Sequence, residues 1–229
     1  MRPTNNTMTD ERRTLDRQER WRDLHVVLAT ALRHPDEQLK DDLAAGAFGD
    51  ELAEIATDLD FDLGVALDPP AIDDRGLTED YVALFEAART PFAPPAESPY
   101  KPWYGERDGG LMGGPPASDM ETRYRAIGAE IPDGYPPDHV ALQLEYGSYL
   151  LEAGEQDAYR AFFESHLDWI PAFRRATDDA AAAAPFHRWA VEVTDAVLDA
   201  ARTRLGVAAP DAATEEQMVE RIDMESTPE

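Results

Sequence analysis

Between Arg89 and Pro116 the chain carries seven prolines and five glycines, so no helix or strand of useful length fits there. On both sides of that stretch the apolar residues recur at helical spacing. Trp21, Leu24, Val27, Leu28 and Ala31 trace one face between Asp16 and Arg33, and Pro35 ends that helix. Tyr81, Leu84 and Phe85 form a stripe in Glu79–Ala88, with Thr78 as its expected N-cap. Two short helices are expected over Asp36–Ala45 and Asp50–Leu59, followed by a Pro- and Asp-rich connection from Leu63 to Gly76. No alternation of period two is long enough for a strand. The expected fold is all-α, a single domain of eight to ten helices with one long Pro/Gly-rich ordered loop near its middle.

After the loop, Ser118 and Glu121 suggest a capping box for a helix bearing Met120, Tyr124 and Ile127. Pro136-Pro137 is expected to open the next helix, with Val140, Leu144, Gly147 and Leu151 on one face. Asp157–Trp169 carries Tyr159, Phe162, Phe163, His166 and Trp169, and Pro171 interrupts it. A last long helix runs from Pro185 to Leu205 and stops at Gly206. The expected division is a disordered segment 1–14, a helical domain 15–206, and an acidic flexible tail 207–229 with at most a loose helical turn or two. The aromatics Phe92, Tyr100, Trp103 and Tyr104 inside the Pro-rich stretch argue that it is packed rather than disordered.

Composition removes several function classes. There are no cysteines, so disulfides, thiol catalysis and zinc–thiolate sites are excluded. No run of about 18 apolar residues could span a bilayer, and the polar N-terminus lacks a signal-peptide core. A cytoplasmic location is the expectation. The net charge is −26 and the only lysines are Lys40 and Lys101. The acids are spread along the whole chain, from Asp41-Asp42 to Glu215-Glu216. That spread reads as adaptation to a salt-rich cytosol more than as one binding patch, and it disfavours nucleic acid as a partner. No phosphate loop is present, His139, His166 and His187 lack metal-ligand spacing, and no cofactor is expected.

Asp138 and His139 begin a helix, where an aspartate can cap backbone N–H groups. His139 gains nothing from the helix dipole there, which marks it as a site candidate. Glu145 and Tyr146 follow seven residues after Asp138 and His139, about two turns, so each pair shares a face. Tyr100 reads as a core anchor or a groove wall, and Glu97 needs a partner if buried. His166 reads as a core histidine with a backbone partner for its second nitrogen.

Three segments, in order and spacing, resemble the TorD/DmsD/NarJ family of molybdoenzyme maturation chaperones. They are Pro94-Pro95-Ala96-Glu97-Ser98-Pro99-Tyr100, Gly110-Leu111-Met112-Gly113-Gly114-Pro115, and Pro136-Pro137-Asp138-His139 running through Leu144-Glu145-Tyr146. His166 and Trp169 fit the family's His-x-x-Trp, while Tyr146 stands where the family has phenylalanine. The resemblance implies an all-helical cytoplasmic chaperone, not an enzyme. It binds the apo catalytic subunit of a DMSO-reductase-family molybdopterin enzyme and its N-terminal, often twin-arginine, leader. A matching Asp-His pair in the family lies in the groove linked to leader binding. Carried over, the client-binding residues are Asp138, His139, Glu97, Tyr100, Trp103, Tyr104, Glu145 and Tyr146. Carboxylates suit guanidinium forks, and aromatic walls suit the apolar part of a leader. A monomer or a helix-exchange dimer fits equally. The alternatives are a helical assembly module without leader binding and, further off, an acid–base enzyme using Asp138, His139 and Glu145.

Overall fold

The structure is a computed structural model, and it describes residues 15–60, 63–71, 76–86, 93–101, 113–180 and 183–225, with side chains to 222. The described residues form ten α-helices and one π-helical turn. They are α1 (Gln18–Leu32), α2 (Glu37–Ala45), α3 (Ala47–Leu59), α4 (Gly76–Tyr81), a π turn (Val82–Glu86), α5 (Pro115–Ile127), α6 (Val140–Glu152), α7 (Gln156–His166), α8 (Ile170–Asp179), α9 (Pro185–Leu205) and α10 (Ala212–Glu225). No sheet is present among these residues, and the one β-type contact is an isolated bridge between Ala96 and His139. The all-α expectation holds.

Helices α1 and α6 share the most extensive helix–helix contact and form the centre. Their approach is set by Gly147, where an added Cβ would lie 3.1 Å from His25 Cδ2 and 3.3 Å from Tyr159 Cε2. His25 is fixed from both sides: its Nδ1 is 2.8 Å from the Trp21 carbonyl and its Nε2 is 2.9 Å from the Tyr159 hydroxyl. Trp21, Leu24 and Leu28 of α1 are buried here, as are Val140, Leu144 and Leu151 of α6. A second aromatic group, Phe85, Tyr100, Trp169 and Phe173, joins the π turn, the Pro-rich segment and α8.

Several local expectations are corrected. Helix α5 starts at Pro115, with prolines in its first turn, so Ser118 lies inside it and forms no capping box. Their fixed φ favours helix initiation, and the missing N–H groups would have had no partner there. Helix α4 starts at Gly76, so Thr78 is likewise internal. Pro136 to His139 form a turn, closed by the His139 N–H to the Pro136 carbonyl at 3.1 Å, and α6 begins only at Val140. Pro171 sits in the first turn of α8 and opens that helix, since α7 has already ended at His166. The region past Gly206 is not merely a loose tail. Residues Ala212–Glu225 are helical, with Asp211 accepting from the Thr214 N–H at 2.8 Å, and α10 packs on α8. Met218 and Ile222 supply its buried face. Val219, half-buried, packs beside them. The expected disorder of residues 1–14 lies outside the described residues.

Candidate functional site

The Pro-rich segment meets the start of α6 through backbone and side-chain bonds together. The Val140 N–H donates to the Pro95 carbonyl at 2.8 Å and the Glu97 N–H to the Asp138 carbonyl at 3.1 Å. Asp138 turns away from its own helix: one carboxylate oxygen accepts from the Ser98 N–H at 2.7 Å and from the Ser98 hydroxyl. Asp138 is fully buried, and burial raises its pKa above the ordinary carboxylate value despite those two donors. The N-cap of α6 is instead His139, whose Nδ1 accepts from the Ala141 N–H at 3.2 Å. The proton is therefore on Nε2, which donates to the Tyr81 hydroxyl at 3.2 Å. Burial, helped by the Arg33 charge, pushes the His139 pKa down to about 3. His139 is a neutral structural cap, with Tyr135 edge-on at 4.9 Å.

Glu97 lies at the centre of a buried polar network. Its carboxylate receives Lys101 Nζ at 2.9 Å, Gln143 Nε2 at 2.5 Å and His166 Nδ1 at 2.8 Å. His166 continues to Asp119 with its other nitrogen at 2.7 Å, and Asp119 pairs with Arg123 at 2.6 Å. The expectation of a backbone partner for His166 is thus corrected: both partners are acids, on the Pro-rich segment and on α5. Lys101 also reaches Asp168 at 2.5 Å, and Gln143 Oε1 accepts from Trp169 Nε1 at 3.0 Å. This network fastens the segment 93–101 to α5, α6 and α7 at once.

The sequence-derived candidates therefore separate. Asp138, His139, Glu97 and Tyr100 are all buried, each at 2% exposure or less; the first three bond within the protein and Tyr100 packs through its ring. Tyr100 lies against Trp169 at 4.9 Å, the core-anchor alternative. Trp103 and Tyr104 lie outside the described residues. Glu145 and Tyr146 reach a surface cleft. Asp138 and Glu145 do not share a groove, because Asp138 faces Ser98 while Glu145 pairs with Arg33. No acid–base constellation of Asp138, His139 and Glu145 exists.

That cleft is half-open, about 210 Å³ in volume, and lies between α5, the turn after it, α6 and the end of α1. Tyr124, Ile127, Ile131, Leu142, Tyr146 and Tyr149 give it apolar walls; Arg33, Glu130 and Glu145 give it charge. Burial raises the Glu145 pKa, and the Arg33 guanidinium counters that shift. Tyr146 is braced from behind by Phe162 at 5.0 Å and from the side by Tyr124 at 5.9 Å. Sequence reasoning missed Arg33, Tyr124, Ile127, Glu130, Ile131 and Tyr149, because the cleft unites residues from three elements far apart in the chain. Exposed Tyr149, on the same helix as Glu145, was the one available signal. Among the described residues no cluster of His, Asp or Glu could hold a metal, and no helix is long and apolar enough to cross a membrane.

Comparison with known proteins places this geometry. No curated protein matches the chain. A solved structure described as a candidate redox enzyme maturation protein from Archaeoglobus fulgidus is similar at 22% identity and a TM-score of 0.48, covering 76% of this chain and 93% of that one. The family model for the nitrate reductase delta subunit matches residues 28–175, from the second half of α1 into α8. That span is more than half of the chain and holds the Asp138–Ser98 clamp, the Glu97 network and every residue of the cleft. The chain accordingly belongs to the nitrate reductase delta subunit family, the NarJ/TorD-type maturation chaperones of redox enzymes.

Proposed function

We propose that this protein is a cytoplasmic chaperone that binds the apo catalytic subunit of a molybdopterin-dependent reductase and shields its N-terminal leader until the cofactor is inserted. The α5–α6 cleft is the observation that carries this reading. It offers a concave apolar surface bordered by Glu130 and by the Glu145–Arg33 ion pair, chemistry that suits a basic-then-apolar leader. The buried residues act behind it. Asp138 and His139 fix the start of α6, and Glu97 and Tyr100 hold the Pro-rich segment on the same body. Their contribution to client binding is to position, while Glu145 and Tyr146 make contact. Trp103 and Tyr104 are proposed to extend the apolar contact beyond the cleft.

The test is co-purification from cells that make the client in the presence and absence of molybdenum. A chaperone of this kind captures one catalytic subunit, enriched when the cofactor is withheld. Equal capture of the loaded and empty enzyme would instead favour a permanent assembly subunit.

A further inference from the structure

His166 stands between two acids that belong to different parts of the fold. Its Nδ1 lies 2.8 Å from Glu97 on the Pro-rich segment, and its Nε2 lies 2.7 Å from Asp119 on α5. Each contact needs a hydrogen between ring nitrogen and carboxylate oxygen, and a neutral imidazole carries only one. Both contacts together hold one proton more than a neutral ring with two carboxylates. In so tight a set that proton belongs to the group rather than to one residue.

The neighbouring charges suit it. Lys101 of the Pro-rich segment faces Glu97 at 2.9 Å and Asp168, after α7, at 2.5 Å. Arg123 of α5 faces Asp119 at 2.6 Å. Helix α6 contributes the uncharged Gln143, which donates to Glu97 at 2.5 Å, and Phe162 of α7 stacks on the imidazole at 5.3 Å. Three acids thus face two fixed cations, and the extra proton closes the balance. The two ends of the set differ in exposure. Glu97 and His166 are buried, whereas the Asp119 side chain is 49% exposed.

We propose that this shared proton is a pH-sensitive latch: with it, α5 is tied through His166 to the Pro-rich segment, and without it the Asp119 end lets go. Release falls at that end because Asp119 can turn to water. Glu97 cannot, and it keeps the one remaining ring proton on Nδ1. The closed set binds one proton more than the open one, so the hold on α5 is full at low pH and is lost as pH rises through the titration of the set. Burial lowers His25 and His187 to about 4 and His139 to about 3, so in the native state they stay neutral from pH 6 to 9 and take no part. The latch governs how firmly α5 is held, whatever the cleft on its other side binds.

Amide hydrogen exchange of the full chain, in the salt at which it is folded, provides the test. It is read by NMR as protection factors, so that the intrinsic pH dependence of exchange cancels. Between pH 6 and 9 the wild-type amides from Met120 to Arg125 are expected to lose about tenfold in protection relative to those of α1 and α6. Asp119→Asn offers Nε2 a permanent N–H and is expected to keep the high protection at both ends of the range. Asp119→Ala offers nothing and is expected to show the low protection at both. The two variants lose the Arg123 ion pair alike, so the difference between them reports the His166 contact. The position is a half-exposed one on a helix, and circular dichroism melting confirms that both variants fold. A flat wild-type profile would overturn the latch, and so would a tenfold loss that persists in either variant.

Discussion

Ser98 and Asp138, forty positions apart, are joined by two hydrogen bonds to a single buried carboxylate oxygen. The pair fixes where the Pro-rich segment meets the first turn of α6. Asp138→Asn keeps an acceptor and removes a charge whose burial already disfavours ionisation, and is expected to be within about 1 kcal/mol of wild type. Asp138→Ala removes the buried acceptor of both bonds and is expected to cost about 2–4 kcal/mol. Urea denaturation of both variants at pH 7 checks this. Equal stabilities would mean that the clamp contributes nothing. For the same reason a combined Asp138→Ala and His139→Ala change is expected to weaken leader binding and stability together, not binding alone.

Gly147 governs the spacing of the two central helices. Alanine normally gains about 0.5–1 kcal/mol over glycine inside a helix. Here its methyl would press on the rings of His25 and Tyr159, and their mutual bond at 2.9 Å leaves neither free to swing aside. Overpacking of this kind costs about 1–3 kcal/mol, so Gly147→Ala is expected to destabilise by roughly 1–2 kcal/mol net. A chemical-denaturation midpoint at or above that of wild type would contradict the fixed-ring argument.

Three buried histidines set a pH dependence with a definite sign. Burial lowers His25 and His187 to about 4 and His139 to about 3, against about 6.5 in an unfolded chain. Between pH 6.5 and 4 the unfolded state therefore takes up protons that the folded state refuses, and stability falls as pH falls. At pH 5 each such histidine removes on the order of 2 kcal/mol relative to pH 7.5. Asp138 and Asp168, raised by burial, act in the opposite sense in the lower part of that range, because the folded state binds their protons more tightly. Urea midpoints at pH 7.5, 6 and 5 should decline. His187→Gln, which can still donate to the Leu77 carbonyl, should decline less steeply. A flat wild-type profile would show that these imidazoles accept protons in the native state.

The helical fold was legible because its signals are local. Pro185 starts α9 as its sequence suggests, and apolar residues at spacings of three and four define the inner faces, whereas Pro115 and Pro171 start helices that the sequence reading began or broke elsewhere. The errors arose where one residue does a job assigned to another. His139 caps α6 in place of Asp138, because Asp138 is engaged by Ser98 across the fold, a contact without a local signature. The α10 helix was under-read because its buried face consists of little more than Met218 and Ile222 in an acidic background. For the site, sequence motifs led to residues that hold it together. The surface that faces outward came from Arg33, Tyr124, Ile131 and Tyr149, which share no motif and meet only in three dimensions.

The surface charge carries its own expectation. At molar salt the Debye length is about 3 Å, so acids spread over the surface scarcely repel one another. In dilute buffer the charge of −26 is unscreened and works against compactness. Far-UV circular dichroism is therefore expected to show loss of helix below a few hundred millimolar potassium chloride. Leader affinity, carried by burial and direct contacts, should vary little between one and three molar. Full helicity in dilute buffer would refute adaptation to salt as the origin of the acidic composition.

The close approach at Gly147 has a consequence for how the cleft responds to its guest. Helix α6 is locked to α1 at ring-to-backbone distance, so the wall bearing Leu142, Glu145 and Tyr146 is an anvil. Helix α5 bears the opposite wall; Met120 buries it in the core, and side-chain ends tie it to α6 and α7: Asp119 on His166, Tyr124 on Tyr146, and Arg123 over Phe162 at 5.7 Å. If the cleft seats a leader side chain, adjustment to its girth is therefore expected on the α5 side, while α6 stays in place.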